Sequence, residues 1–205
     1  RVIHNAPDLE MIRRANSNFW NTRPQLPQVK RGIEVWSCAS SWRPHKRLRD
    51  NIRYFMEMAD DKAIFIIAGS GAKESDFADC KDLLGKRIFY SGNLDYMTLL
   101  SLYRRSSTFV HLAYLDHCPN VVVDALAADC HVVCSSAGGT KELVNQSKGT
   151  VVIEKPWDFS PVELYNPPEL DFSSYLEISS KERLNYDIGE CARMYHETFR
   201  SVVSA

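Results

Sequence analysis

The sequence predicts an α/β domain: a Rossmann-like, open and mostly parallel sheet of six strands with helices on both faces. Two observations carry this. Apolar runs of strand length recur along the chain with helix-length segments between them, room enough for a crossover each time. Most of these runs are continuously apolar instead of alternating, as expected of strands covered on both faces. The 205 residues fit one compact domain, since domains run roughly 100–200 residues.

Taken in order, residues 1–30 form a lead-in segment, 31–155 the core, and 156–205 a Pro-rich loop and closing helix. The strand-like runs are Ile33–Ala39, Ala63–Ala68, Arg87–Tyr90, Thr108–Leu112, His131–Cys134 and Thr150–Ile153. Arg47–Met58 puts Leu48, Ile52, Phe55 and Met56 on one helical face, and Tyr96–Tyr103 does so with Met97, Leu100 and Tyr103. Asp95 caps the second helix after a Gly92-Asn93 turn. Asn120–Ala127 carries three β-branched residues, which favour a strand by propensity. Its i,i+4 pairs Val122 with Leu126 and Val121 with Ala125, together with Pro119 in a first turn, nevertheless predict a helix. Residues 156–168 hold four prolines and no periodicity, so an ordered loop carrying Trp157 and Tyr165 is expected. A helix over Lys181–Val203 closes the chain.

Composition narrows the function. Lys and Arg number 25 against 26 Asp and Glu, a formal charge of -1, so there is no broad basic field for nucleic acid or an anionic membrane. The six cysteines form no C-x-x-C pair, which suits reduced thiols and a cytoplasmic protein. No run approaches the ~18 apolar residues of a membrane span. The histidines show no metal-ligand spacing and read as structural. A Walker loop and a G-x-S-x-G elbow are both absent. An NAD-dependent oxidoreductase would need G-x-G-x-x-G after the first strand, where "SSWRPHK" stands.

The chemistry-bearing stretch is "YLDHCPNVVVDALAADCHVVCSSAGGTKELV", Tyr114–Val144. With a helix starting near Pro119, Asp116 lies on the loop after the fourth strand and Asp124 one or two turns into the helix. Both then border the crevice at the carboxyl ends of the strands. Ionised carboxylates accept from sugar hydroxyls, and the free N–H groups of the helix start that follows Pro119, those of Asn120 and Val121, suit phosphate.

In this stretch the chain resembles family 4 (group 1) glycosyltransferases, in their C-terminal donor-binding domain of the GT-B architecture. Asp116-x7-Asp124, "ALAADCHVVC" and Gly138-Gly139-Thr140-Lys141-Glu142 are similar to that family's Glu-x7-Glu, "A-x-A-x-G-x-P-V-V" and "G-G-x-x-E". The likeness extends to "VIHNAPD", "SSWRPHKRL", "IFIIAGSG" and the run from Arg87 to Ala113, in register over roughly Val2 to Ile153.

The resemblance implies a retaining hexosyltransferase that uses a nucleotide diphosphate sugar and no metal or other cofactor. It assigns Lys46 to the donor diphosphate and Asp116 to the transferred sugar, the two catalytic positions. Asp124 takes the ribose hydroxyls. Gly71, Gly138 and Gly139 supply bare backbone near the ligand, and Glu142 is a further donor contact. The family's arginine falls on Ser41 here, which leaves Arg43 or Arg47 as the second phosphate cation. Both signature glutamates are aspartates, shorter in reach by roughly 1.5 Å, a distance that matters to catalysis. A sugar, lipid or protein acceptor is expected to meet an N-terminal domain of roughly 150–200 residues that lies outside this chain, so the fragment alone should bind donor and turn over little. The alternative reading is a non-catalytic nucleotide-sugar binding or assembly module.

Overall fold

The computed structural model describes residues 3–15, 32–145, 148–156, 158, 160–161, 163–179 and 187–203. Among them, β1 (Val35–Ala39), β2 (Ile64–Ala68), β3 (Ile88–Gly92), β4 (Thr108–His111), β5 (His131–Ser135), β6 (Lys148–Val152) and β7 (Tyr175–Ser179) form one sheet, ordered β3-β2-β1-β4-β5-β6-β7. The first six pair in parallel. The seventh, unforeseen in the sequence, joins β6 antiparallel. It is an edge strand exposed along nearly its whole length, so it has no buried face to print a pattern.

The helices are α1 (Leu9–Arg14), α2 (Leu48–Met58), α3 (Tyr96–Arg105), α4 (Asn120–Ala127), α5 (Thr140–Asn145) and α6 (Ile188–Val203). Strand residues alternate between two cores. Val35, Ile64, Ile66, Phe109 and Val132 meet Leu100, Tyr103, Val122 and Leu143 on one side. Trp36, Cys38, Phe65, Ile67 and Val133 meet Leu48, Ile52, Phe55 and Phe172 on the other. Two covered faces explain why the strands read as continuous apolar runs. All six cysteines are free thiols, five of them buried.

Asp95 caps α3 as expected, accepting from Thr98 N–H at 3.0 Å. Pro119 stands one position earlier than expected, as the extended N-cap of α4, and the β-branched run is helical because Val122, Val123 and Leu126 are buried there. Past its end, Asp129 takes the place of the resembling signature's glycine in a left-handed conformation, φ 74, which Asp tolerates better than most residues. His131 replaces the signature's proline and uses its N–H on Ser107 O at 2.8 Å.

The lead-in holds α1, which Asp8 caps at Met11 N–H, 2.9 Å. Asn5 Nδ2 donates to Cys118 O at 2.9 Å and to Asn120 Oδ1 at 2.8 Å, tying the lead-in to the start of α4. The described part of 156–168 is loop, as expected. Trp157 and the expected helical residues 181–186 lie outside the described residues, and α6 covers the rest of the predicted helix from Ile188 on.

Candidate functional site

In this sheet the chain winds outward from β1 in one direction and from β4 in the other. The switch point, where open α/β sheets take ligands, therefore lies at the carboxyl ends of β1 and β4. The sequence places its two central candidates on these two loops.

After β1, Trp42 N–H bonds to Ser70 O at 2.7 Å and the Trp42 indole N–H to Ala68 O at 3.0 Å, fixing the loop on the end of β2. A 3-10 turn, Pro44–Lys46, follows. After β4, Tyr114 N–H reaches back to His45 O at 2.7 Å. The two loops bring Lys46 Nζ to 2.5 Å from Asp116 Oδ2, and His111 Nε2 lies 2.9 Å from the same oxygen. Leu115, just before Asp116, is held at φ 54, a strained setting of the kind found at functional loops.

Burial pushes the Asp116 carboxyl up, but the His111 hydrogen bond and the Lys46 ammonium outweigh it and hold the group well below the usual carboxylate range. Burial lowers the His111 ring, more than the neighbouring carboxylate raises it. At neutral pH the Asp116 carboxyl is thus ionised and the His111 ring neutral.

Asp124 stands in a different environment. It is buried in α4 and accepts from the Tyr96 hydroxyl at 3.2 Å. Among the described residues no hydrogen bond or ion pair joins it to Lys46 or Asp116. Burial raises its carboxyl to about 6, against the lowering by Tyr96. An unfolded Asp titrates near 3.9, so the native state binds more protons between about pH 4 and 6. Stability is therefore lost as pH rises through that window, by roughly 2–3 kcal/mol. Urea denaturation of Asp124→Asn beside wild type should show the variant gaining on wild type from pH 4.5 to 7.5; a constant difference would contradict the assignment.

The remaining candidates divide. Asn120 and Val121 present the open end of α4, whose first N–H groups have no partner within the helix, and the Asn120 side chain is braced by Asn5. Arg47 is committed elsewhere: its guanidinium grips Glu154 at 2.8 and 2.7 Å and Pro168 O at 2.7 Å, almost wholly buried. Arg43 is exposed and lines, with Gly71, Trp42 and Lys73, a cavity of about 360 Å³ that Lys46 and Asp116 do not line. Glu142 is exposed and sits 3.5 Å from His4 Nε2.

The glycines serve the loops. A Cβ on Gly71 would stand 2.8 Å from Trp42 O, on Gly138 2.4 Å from Asp116 O, and on Gly139 2.4 Å from His117 O. Gly138 has φ +89 and bridges to Asp116. Gly138→Ala combines a left-handed backbone with that clash and is expected to cost at least about 2 kcal/mol; chemical denaturation showing under 0.5 kcal/mol would refute the packing account.

Sequence reasoning missed His111, Tyr96, Asn5 and Glu154. His111 had one signal, a lone ionisable residue within the mostly apolar run "TFVHLA". The pairing of Glu154 with Arg47, 107 residues apart, had none.

Residues 28–159 match the family described as glycosyl transferases, group 1. That is well over half of the chain, and the chain belongs to this family. No curated protein matches it. Among solved structures it is similar to WaaG, a glycosyltransferase involved in lipopolysaccharide biosynthesis, at 15% identity and TM-score 0.58, over 75% of this chain and 43% of that one. Sucrose-phosphate synthase from Thermosynechococcus elongatus gives 17% and 0.60, over 75% and 39%. Anabaena HepE in complex with UDP-glucose gives 23% and 0.54, over 70% and 40%. These likenesses show the fold, and the chain spans less than half the length of each. No helix among the described residues is long and apolar enough to cross a membrane.

Proposed function

We propose that this chain is the donor-binding half of a retaining, family 4 hexosyltransferase that moves a sugar from a nucleotide diphosphate sugar to an acceptor hydroxyl. The observation that carries the proposal is the meeting of Lys46 and Asp116 at the switch point, 2.5 Å apart, with the start of α4 following in the same loop. Family membership and a structural neighbour in complex with UDP-glucose support it.

Chemically, the sugar leaves a diphosphate on which negative charge builds. The Lys46 ammonium has three N–H donors; one serves Asp116, and two remain to meet that charge as it develops. The open N–H groups of Asn120 and Val121 add partial positive charge, and neither contribution needs a metal ion. Asp116 accepts from the transferred sugar, while Asp124 with Tyr96 accepts from the ribose. The acceptor enters through a further domain, and the six free thiols suit a cytoplasmic setting.

A second reading, a non-catalytic nucleotide-sugar module, draws on two observations. Ser41 stands exposed where a cation is expected, and Arg47 is consumed by Glu154. Calorimetry with UDP-, GDP- and ADP-glucose on the full-length protein, on Lys46→Ala and on Asp124→Ala, beside a transfer assay, separates the two. Turnover by wild type supports the transferase. Binding that both substitutions weaken, with no turnover, supports the module, and no binding of any of the three overturns both.

A further inference from the structure

We propose that His111 is a positioning residue for Asp116: its imidazole fixes the carboxylate from inside the sheet, so that Asp116 stays aimed when Lys46 turns to the donor diphosphate. The proposal rests on the transferase reading and adds to it a residue that no sequence signature marks.

Three hydrogen bonds orient the Asp116 carboxylate. Oδ2 takes Lys46 Nζ at 2.5 Å and His111 Nε2 at 2.9 Å, while Oδ1 takes the backbone N–H of His117 at 3.1 Å. The Lys46 tether is the weak one in use. Its side chain is flexible, and the ammonium must also serve the diphosphate.

His111 cannot wander. It is the last residue of β4, its side chain is 5% exposed, and its ring stacks on Phe109 with an interplanar angle of 11°. A buried polar ring needs a partner, and an ionised carboxylate only accepts. Nε2 therefore carries the proton and donates it to Oδ2. An aspartate is also shorter than the glutamate of the resembling signature, so its placement depends more on what grips it.

Two measurements on the full-length protein test this. The ¹⁵N spectrum of the His111 ring at pH 7 should show Nε2 protonated and Nδ1 bare. In steady-state transfer from UDP-, GDP- or ADP-glucose, whichever is used, His111→Leu should lower kcat about 10- to 100-fold with donor KM within about threefold, and His111→Gln, which restores an N–H donor, should recover most of it. Thermal melts of the two variants should agree, separating the lost donor from lost packing. A bare Nε2, or Leu and Gln variants with equal kcat, overturns the proposal. Absence of transfer by wild type sinks the transferase reading instead, and the ring spectrum still decides whether His111 grips Asp116.

Discussion

Lys46→Ala is expected to reduce transfer by about 10²- to 10³-fold in kcat, the usual cost of removing one donor aimed at developing charge. Binding of the nucleotide diphosphate should weaken as well. Lys46 is the only cation that the structure brings to Asp116 among the described residues, and the neighbouring Arg47 is already spent on Glu154. Lys46→Arg keeps the charge on a longer, forked group and should recover part of the rate. Steady-state kinetics and calorimetry on the full-length protein check both, and a Lys46→Ala enzyme within threefold of wild type would remove the diphosphate role.

Glu154→Ala is expected to have the largest effect on stability. The Arg47 and Glu154 side chains are 1% and 7% exposed and meet in two parallel hydrogen bonds. Removing Glu154 leaves Arg47 buried with only the longer ion pair to Asp50, 3.9 Å away, among the described residues, and breaking a buried pair costs about 3–5 kcal/mol. For a domain of this size that lowers Tm by roughly 10 °C. Replacing both partners by apolar groups, Arg47→Met with Glu154→Leu, should cost less than Glu154→Ala alone. Differential scanning calorimetry distinguishes these; a loss under 1 kcal/mol for Glu154→Ala would show that Arg47 finds other partners.

The parallel core was legible because burial on both faces writes itself into the sequence as unbroken apolar runs. β7 was not, since an exposed edge strand carries no such pattern. The helix at Asn120–Ala127 was legible only through its i,i+4 pairs, against the propensity of three valines. Asp116 could be placed from its position after a central strand, whereas Lys46, a lone cation on the loop after β1, was singled out only by the resemblance. Arg47 could be placed by neither: only its neighbour 107 residues away reveals that it is a structural ion. The glycines at 71, 138 and 139 were recognisable as close-approach positions, and the structure shows the backbone of neighbouring loops packed against each of them. His111 looked structural because a lone histidine in a strand says nothing about a carboxylate five residues on.

The most direct test is a crystal structure of the full-length protein with UDP, GDP or ADP bound. The account predicts the β-phosphate within hydrogen-bond distance of Lys46 Nζ and the start of α4, with the ribose toward Asp124. A diphosphate seated instead in the cavity between Arg43 and Lys73, out of reach of Lys46, would contradict it.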